Sequence, residues 1–142
     1  MNMKSAMAEY GRANIQAEVN TASPHRLIQM LMQGALDKMA IARGALERKD
    51  FAKKSENISM AISIIQGLQS SLDKEQGEDI AQNLDDLYQY MIKTLFEANA
   101  SNDMSKLNEA AKLMAEIKQG WDELGVMLAK QASQSERLYA GV

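Results

Sequence analysis

The chain has 142 residues, 25% charged and 46% hydrophobic, with a formal net charge of −3, which suits a single globular domain. This acidic balance argues against a nucleic-acid partner, because phosphate-backbone binding relies on clustered Lys and Arg. No apolar run approaches the roughly 20 residues of a membrane-spanning helix, so we expect no stable membrane insertion. The absence of cysteine excludes disulfides and thiol chemistry. No signal peptide is recognisable, so we expect a cytoplasmic protein.

The first twenty residues have weak helical periodicity. Tyr10, Ile15 and Val19 could form a short apolar stripe, which Gly11 interrupts. We therefore expect residues 1–20 to form a short N-terminal helix or cap segment.

Two long helices are predicted next. Ser23 and Pro24 favour a helix start, because Ser accepts a backbone N–H and Pro at the first helical position gives up no needed bond. This helix should end near Arg48. Asp50 can cap the second helix, over 51–72. The residues expected to face the core are Leu27, Ile28, Leu31, Met32, Ala35, Met39, Ala42 and Leu46 in the first helix and Ile58, Ile62, Ile65 and Leu72 in the second.

Residues 73–79 read as a loop that turns at Gly77, and two more helices follow it. The third helix is predicted over 79–98 and the fourth begins after Asn102 or Asp103. Their expected inward residues are Ile80, Leu84, Leu87, Met91 and Leu95, then Leu107, Ala111, Met114, Ile117, Trp121, Leu124 and Leu128. The polar residues 131–142 should form a flexible tail. The predicted fold of 1–142 is all-α, an antiparallel up-down four-helix bundle in one domain.

The sequence gives no positive sign of an enzyme, a metal or a cofactor. His25 is the single histidine, and it stands at the second helical position, where a surface His is common. A phosphoacceptor role in a phosphotransfer bundle is the functional alternative. There is no Glu-x-x-His pair and no Gly-rich phosphate loop.

Apolar residues beyond those needed for one core seam lie on the second and third helices. One stripe contains Met60, Ile64 and Gly67, and the other contains Tyr88 and Ile92. A broad core explains them, since bundle helices often carry three or four apolar residues per two turns. Alternatively, the two stripes line an outer groove that accepts an amphipathic helix, and the 11 Met residues suit such an adaptable surface.

Several ordered motifs resemble one known family. They are TASPHRLIQML at 21–31, GA at 34–35, SLDKEQGEDIAQNLDDLYQYM at 71–91, ANASND at 98–103 and IKQGW at 117–121. Together they are similar to the flagellin-specific export chaperone family, FliS, along nearly the whole chain. Met32-Gln33 departs from it, since the family often has an aromatic residue followed by Asp there.

The resemblance implies a chaperone that binds the disordered C-terminal segment of flagellin in the cytoplasm. It would prevent premature polymerisation and deliver flagellin to a component of the flagellar export gate. The candidate client-binding residues are Tyr10, Ile28, Met60, Ile64, Gly67, Tyr88 and Ile92. Tyr10 would cover the apolar surface when the client is absent, and His25 would be incidental.

A helical-bundle phosphotransfer or small-molecule-binding signalling domain is the alternative function. The sequence leaves open which flagellin is the client. It also leaves open whether the free chain forms a weak homodimer.

Overall fold

The chain forms four long helices in a computed structural model that describes residues 23–140, with side chains over 23–136. In chain order they are α1 Pro24–Glu47, α2 Phe51–Ser70, α3 Lys74–Ser101 and α4 Met104–Ala140. Each helix packs on its neighbours in sequence, and α4 also packs on α1. The short turns 48–50, 71–73 and 102–103 make neighbouring helices antiparallel. The predicted all-α bundle is confirmed, and the N-terminal segment 1–20 lies outside the described residues.

Every described helix start is capped by a short polar side chain, and the sequence predicts three of the four caps. A Ser or Asp oxygen accepts a hydrogen bond from the backbone N–H three residues on, at 3.1–3.2 Å. Such a cap stabilises a helix by about 1 kcal/mol. The four capping residues are Ser23, Asp50, Asp73 and Asp103. The end of α3 is set by Asn102, whose φ of 50° places it in the left-handed region that stops a helix.

The start of α3 differs from the predicted loop. Because Asp73 caps it, the helix begins at Lys74, and its break falls at Glu78, with φ 47° and ψ −125°. The prediction that Gly77 makes the turn is wrong, since no described glycine has a positive φ. Gly77 is instead a point of close approach, because a Cβ added there would lie 2.7 Å from the Ala81 Cβ.

The core runs the length of the bundle and is built mainly from Ala, Met, Ile and Leu. Its largest fully buried side chains are Tyr88, Met32, Met39, Ile58, Ile64, Ile65, Leu68, Met91, Leu95, Leu107 and Met114. The helix α2 is buried on more than one face, and all six residues of 60–65 are buried. A helix that is apolar on several faces is typical of an interior position.

The buried face of α3 is wider than the predicted one. Met91 and Leu95 are buried as predicted, and Tyr88 and Ile92 are buried beside them, each about 100° further round the helix than a residue predicted to face inward. Ile80 is 73% exposed and Leu87 is 37% exposed, so their predicted inward placement is wrong. The wider face follows because α3 packs between α2 and α4 and turns apolar residues toward both.

The last helix is longer than its apolar stripe requires. Leu107, Ala111 and Met114 are buried as predicted, but Leu124 and Leu128 are 40% and 47% exposed. They lose cover because α1 begins beside Trp121, so α4 extends beyond the start of its neighbour. The helix continues to Ala140, and the flexible tail expected over 131–142 stays a prediction.

Candidate binding groove at the start of the bundle

An open cavity of about 380 Å³ lies at the end of the bundle where α1 and α3 begin and α2 ends. The turn 71–73 brings α2 and α3 together there, and α4 closes the far side. We call this cavity the groove. Its lining residues are Ile28, Leu68, Ser71, Leu72, Asp73, Gln76, Gly77, Ile80, Ala81, Leu84, Tyr88 and Trp121.

The groove has an apolar floor and an exposed apolar rim. Leu68, Ala81 and Tyr88 are buried, whereas Ile80 is the most exposed large apolar side chain among the described residues. Burial raises the pKa of Tyr88 to about 12, so its hydroxyl stays protonated and uncharged at neutral pH. A concave apolar site with few polar groups suits an apolar segment of a partner.

His25 fixes the wall of the groove that Trp121 supplies. The two rings stack at 4.7 Å between centroids, with 4° between their planes. The Nε2–H of His25 donates to the Trp121 carbonyl oxygen at 2.7 Å. The Trp121 Nε1–H in turn donates to the His25 carbonyl oxygen at 2.9 Å. The expectation that His25 is an incidental surface residue is wrong, because it is half-buried and joins the first turn of α1 to α4.

A second contact one turn along α1 supports the same wall. The Gln29 side-chain amide donates to Asp122 Oδ1, and Lys118 Nζ lies 2.7 Å from Asp122 Oδ2. These hydrogen bonds, that from Lys118 first, hold the pKa of the Asp122 carboxyl below its usual range. We call the contacts of His25 and Gln29 with α4 the α1–α4 clasp.

Negative charge is concentrated over residues 73–86, and Asp73 is the acidic residue of this stretch that lines the groove. Residues 73–86 carry a single basic residue, Lys74, whose Nζ lies 2.8 Å from Asp85 Oδ2. Within the described structure, none of the other carboxylates there has an ion-pair partner. The acidic residues are Asp73, Glu75, Glu78, Asp79, Asp85 and Asp86.

Of the six candidate client-binding residues that the structure describes, two line the groove. Ile28 and Tyr88 line it, and Gly67 is half-buried beside Leu68. Tyr10 lies outside the described residues.

The other three candidates, Met60, Ile64 and Ile92, are buried away from the groove lining. The expectation that these stripes face outward is wrong, because α2 presents more than one face to its neighbours. A role for these residues in binding stays a prediction.

The sequence reasoning missed most of the groove, including Leu68, Leu72, Ile80 and Ala81. Leu72 lies in the turn 71–73 and Ile80 follows the break at Glu78, so a single helical period does not assign their faces. The available signal was an apolar residue within a short turn and another soon after it.

The described residues contain no group of three or more His, Asp or Glu side chains placed to hold a metal ion. Within the same range, no helix is both long enough and apolar enough to cross a membrane.

Comparisons with known proteins agree on one family. The family model described as Flagellar protein FliS matches residues 6–128. The Flagellar secretion chaperone FliSB of Pseudomonas aeruginosa is 52% identical over 122 residues, covering 86% of this chain and 97% of that protein. The Flagellar secretion chaperone FliS of Salmonella typhimurium is 38% identical over 135 residues, covering 94% and 100%. That of Vibrio cholerae is 34% identical over 122 residues, covering 86% and 90%. The chain belongs to the FliS family of flagellar proteins.

Proposed function

We propose that the chain is a flagellar export chaperone, not an enzyme, and that its client is the disordered C-terminal segment of flagellin. Its family and the names of its relatives support the chaperone role. The observation that carries the proposal is the open apolar groove with Ile80 exposed on its rim. An exposed apolar surface of this kind typically serves to bind a partner.

The mechanism follows from the physics of a partner that is unfolded when free. Its apolar side chains gain roughly 25 cal/mol per Å² on burial, and part of that gain offsets the entropy lost when the segment becomes ordered. The α1–α4 clasp keeps the Trp121 wall in place before the client arrives, so this wall has little to reorganise. While the segment is held, it is unavailable for polymerisation, and the complex is delivered in the cytoplasm to a component of the flagellar export gate.

Two further elements of the proposal concern occupancy of the groove. Tyr10 and the N-terminal segment compete with the client for apolar surface. A weak homodimer of the free chain would cover the same kind of surface. Client binding displaces either one. The apparent affinity for flagellin is therefore reduced in proportion to the fraction of chains whose groove is free.

The alternative as a phosphotransfer domain is disfavoured by the position of His25. Its Nε2 is committed to a carbonyl oxygen and its ring is stacked on Trp121, whereas a phosphoacceptor needs an accessible nitrogen. A small-molecule site is disfavoured because the similar proteins are named secretion chaperones.

The test compares two isoleucine variants in their binding of flagellin and in their effect on its polymerisation. Ile80→Ser should weaken binding of the flagellin C-terminal segment at least tenfold in calorimetric titration. It should also abolish the delay of flagellin polymerisation measured by light scattering. Ile41→Ser is the matched control, because Ile41 is also exposed but lies on α1 outside the groove lining. The proposal is wrong if the wild-type chain neither binds the segment nor delays polymerisation.

A further inference from the structure

The first turn of α3 is folded back against the helix that it begins. Its Lys74 Nζ lies 2.8 Å from Asp85 Oδ2, although a continuous helix would advance by about 16 Å between these two positions, more than their side chains span. A Cβ on Gly77 would lie 2.7 Å from the Ala81 Cβ, whereas Cβ atoms four positions apart in a continuous helix are about 5–6 Å apart. The break in α3 therefore turns residues 74–77 alongside the rest of the helix, and we call these residues the flap.

The flap is held in this position against backbone strain. Glu78 has φ 47° and ψ −125°, whereas Asn102, with φ 50° and ψ 45°, lies in the left-handed minimum. A residue with a side chain is strained outside that minimum, and such strain persists only where the surrounding structure maintains it. The fastening is weak here, because a single helical turn has little stability of its own and the Lys74 side chain is 54% exposed. The flap is therefore a marginally stable part of the structure.

The flap covers part of the groove. Gln76 and Gly77 belong to the lining, and Gly77 lies directly against Ala81, which is 4% exposed. The cavity of about 380 Å³ is at the small end of the range for one compact ligand. A disordered segment that becomes ordered on binding, in contrast, buries about 1,000 Å² or more. With the flap in place, the groove is therefore smaller than the surface that such a client needs.

We propose that the client displaces the flap, with Glu78 as the hinge, and that residues 71–78 then form an open loop. This inference rests on the proposed function and adds a conformational step at the same groove. Displacement breaks the ion pair that fastens the flap, releases the strain at Glu78 and uncovers Ala81. The released strain offsets part of the cost of unwinding one helical turn. The sequence pattern also favours this open form, since residues 73–79 read as a loop.

Amide hydrogen exchange followed by NMR tests this displacement directly. With the flap closed, the Gly77 N–H donates to the Asp73 carbonyl oxygen at 2.7 Å. Its exchange should become about tenfold faster when the flagellin C-terminal peptide binds, because this hydrogen bond is lost. The Leu107 N–H is the matched control, since it makes the same first-turn bond to the Asp103 carbonyl oxygen, at 3.2 Å, and should not become faster. Unchanged or slower exchange at Gly77 would overturn the inference.

Two substitutions at the flap and its hinge should change client affinity in opposite directions. Lys74→Gln removes the ion pair that holds the flap closed, so it should tighten peptide binding about twofold in calorimetric titration. Glu78→Gly relieves the closed form of its strain, so it should weaken binding about threefold and raise the urea midpoint. Lys106→Gln is the matched control, because it also breaks an exposed ion pair, with Glu97, and should leave the affinity unchanged. Equal affinities of the wild-type chain and both flap variants would show that the client does not displace the flap.

Failure of the proposed function is distinguishable from failure of this inference. If the peptide does not bind the wild-type chain, the proposed function is wrong, and the flap is tested with anilinonaphthalene sulfonate, a dye that fluoresces on exposed apolar surface. Lys74→Gln should bind about twofold more dye than Lys106→Gln, because its flap is open more often. Equal dye binding by these two variants would overturn the inference. Should Glu78→Gly prove unfolded, the exchange of Gly77 in the wild-type chain decides the question.

Discussion

The α1–α4 clasp can be tested with two glycines of α4 that differ in one respect. Gly120 has open space where a Cβ would be placed, whereas a Cβ on Gly125 would overlap the His25 ring. Replacement of a helical Gly by Ala ordinarily stabilises a helix by about 0.8–1 kcal/mol. Gly120→Ala should therefore raise the free energy of unfolding by that amount.

Gly125→Ala should show no such gain, because the added methyl group must displace a ring held by the Trp121 stack and the Nε2 hydrogen bond. Displacement loses an aromatic stack worth about 0.5–1.5 kcal/mol and a hydrogen bond worth about 0.5–1.5 kcal/mol. His25 is only half-buried, so we expect a total loss of about 1–2 kcal/mol. The net effect of Gly125→Ala is then between zero and a destabilisation of about 1 kcal/mol.

The assay is urea unfolding followed by circular dichroism, with the four proteins of a double-mutant cycle. His25→Ala alone should cost about 1–2 kcal/mol. In the His25→Ala background Gly125→Ala should regain its ordinary stabilising effect, since nothing is left to displace. Equal stabilisation by Gly125→Ala and Gly120→Ala in the wild-type background would refute the clasp.

Three more outcomes follow from the described contacts. Ile64→Asp should unfold the chain rather than merely block binding, because Ile64 is 1% exposed and a buried unpaired carboxylate costs several kcal/mol. A cooperative thermal melt near the wild-type temperature would contradict this burial. Lys54→Met should lower the free energy of unfolding by about 1–3 kcal/mol in urea. The buried Lys54 Nζ donates to the Asn99 carbonyl oxygen at 2.9 Å and to Asn102 Oδ1 at 2.6 Å, and both bonds would be lost. An unchanged unfolding midpoint would show that this end of α3 needs no cap. The lowered pKa of Asp122 implies stability that is present above the pKa of the unfolded state and is lost as the pH falls through the folded-state value. Asp122→Asn should accordingly flatten the acid side of the stability profile and leave its slope above neutral pH unchanged.

Helix number and three of the four helix caps could be predicted from the sequence because they depend on local chemistry. Ser23 with Pro24, Asp50 and Asp103 each place a short acceptor before a helical run, and these signals need no tertiary information. The fold class follows from four such runs joined by short turns.

Which residues of a helix face the core could not be predicted as well, because this depends on the neighbouring helices on which it packs. A single seam was assumed for α3, but the helix faces both α2 and α4, so Tyr88 is buried and Ile80 is exposed. The left-handed residue at Glu78 was also missed, since Gly77 is the residue that ordinarily takes such a conformation.

The clasp was missed for a related reason. Nothing local to His25 indicates that residue 121 lies against it, because the contact joins residues 96 positions apart. The contact between His25 and Trp121 exists only once α1 packs on α4, so neither segment of the sequence predicts it alone.

The most direct test of the account is the fluorescence of Trp121, which is the single tryptophan of the chain and lines the groove. A tryptophan-free peptide from the flagellin C-terminus should shift its emission to shorter wavelength, because the client covers the exposed part of the indole. The change should saturate at the affinity that calorimetry gives and should be weakened in Ile80→Ser. Calorimetric binding of the peptide with an unchanged Trp121 spectrum would contradict the account, since the client would then occupy another face of the bundle.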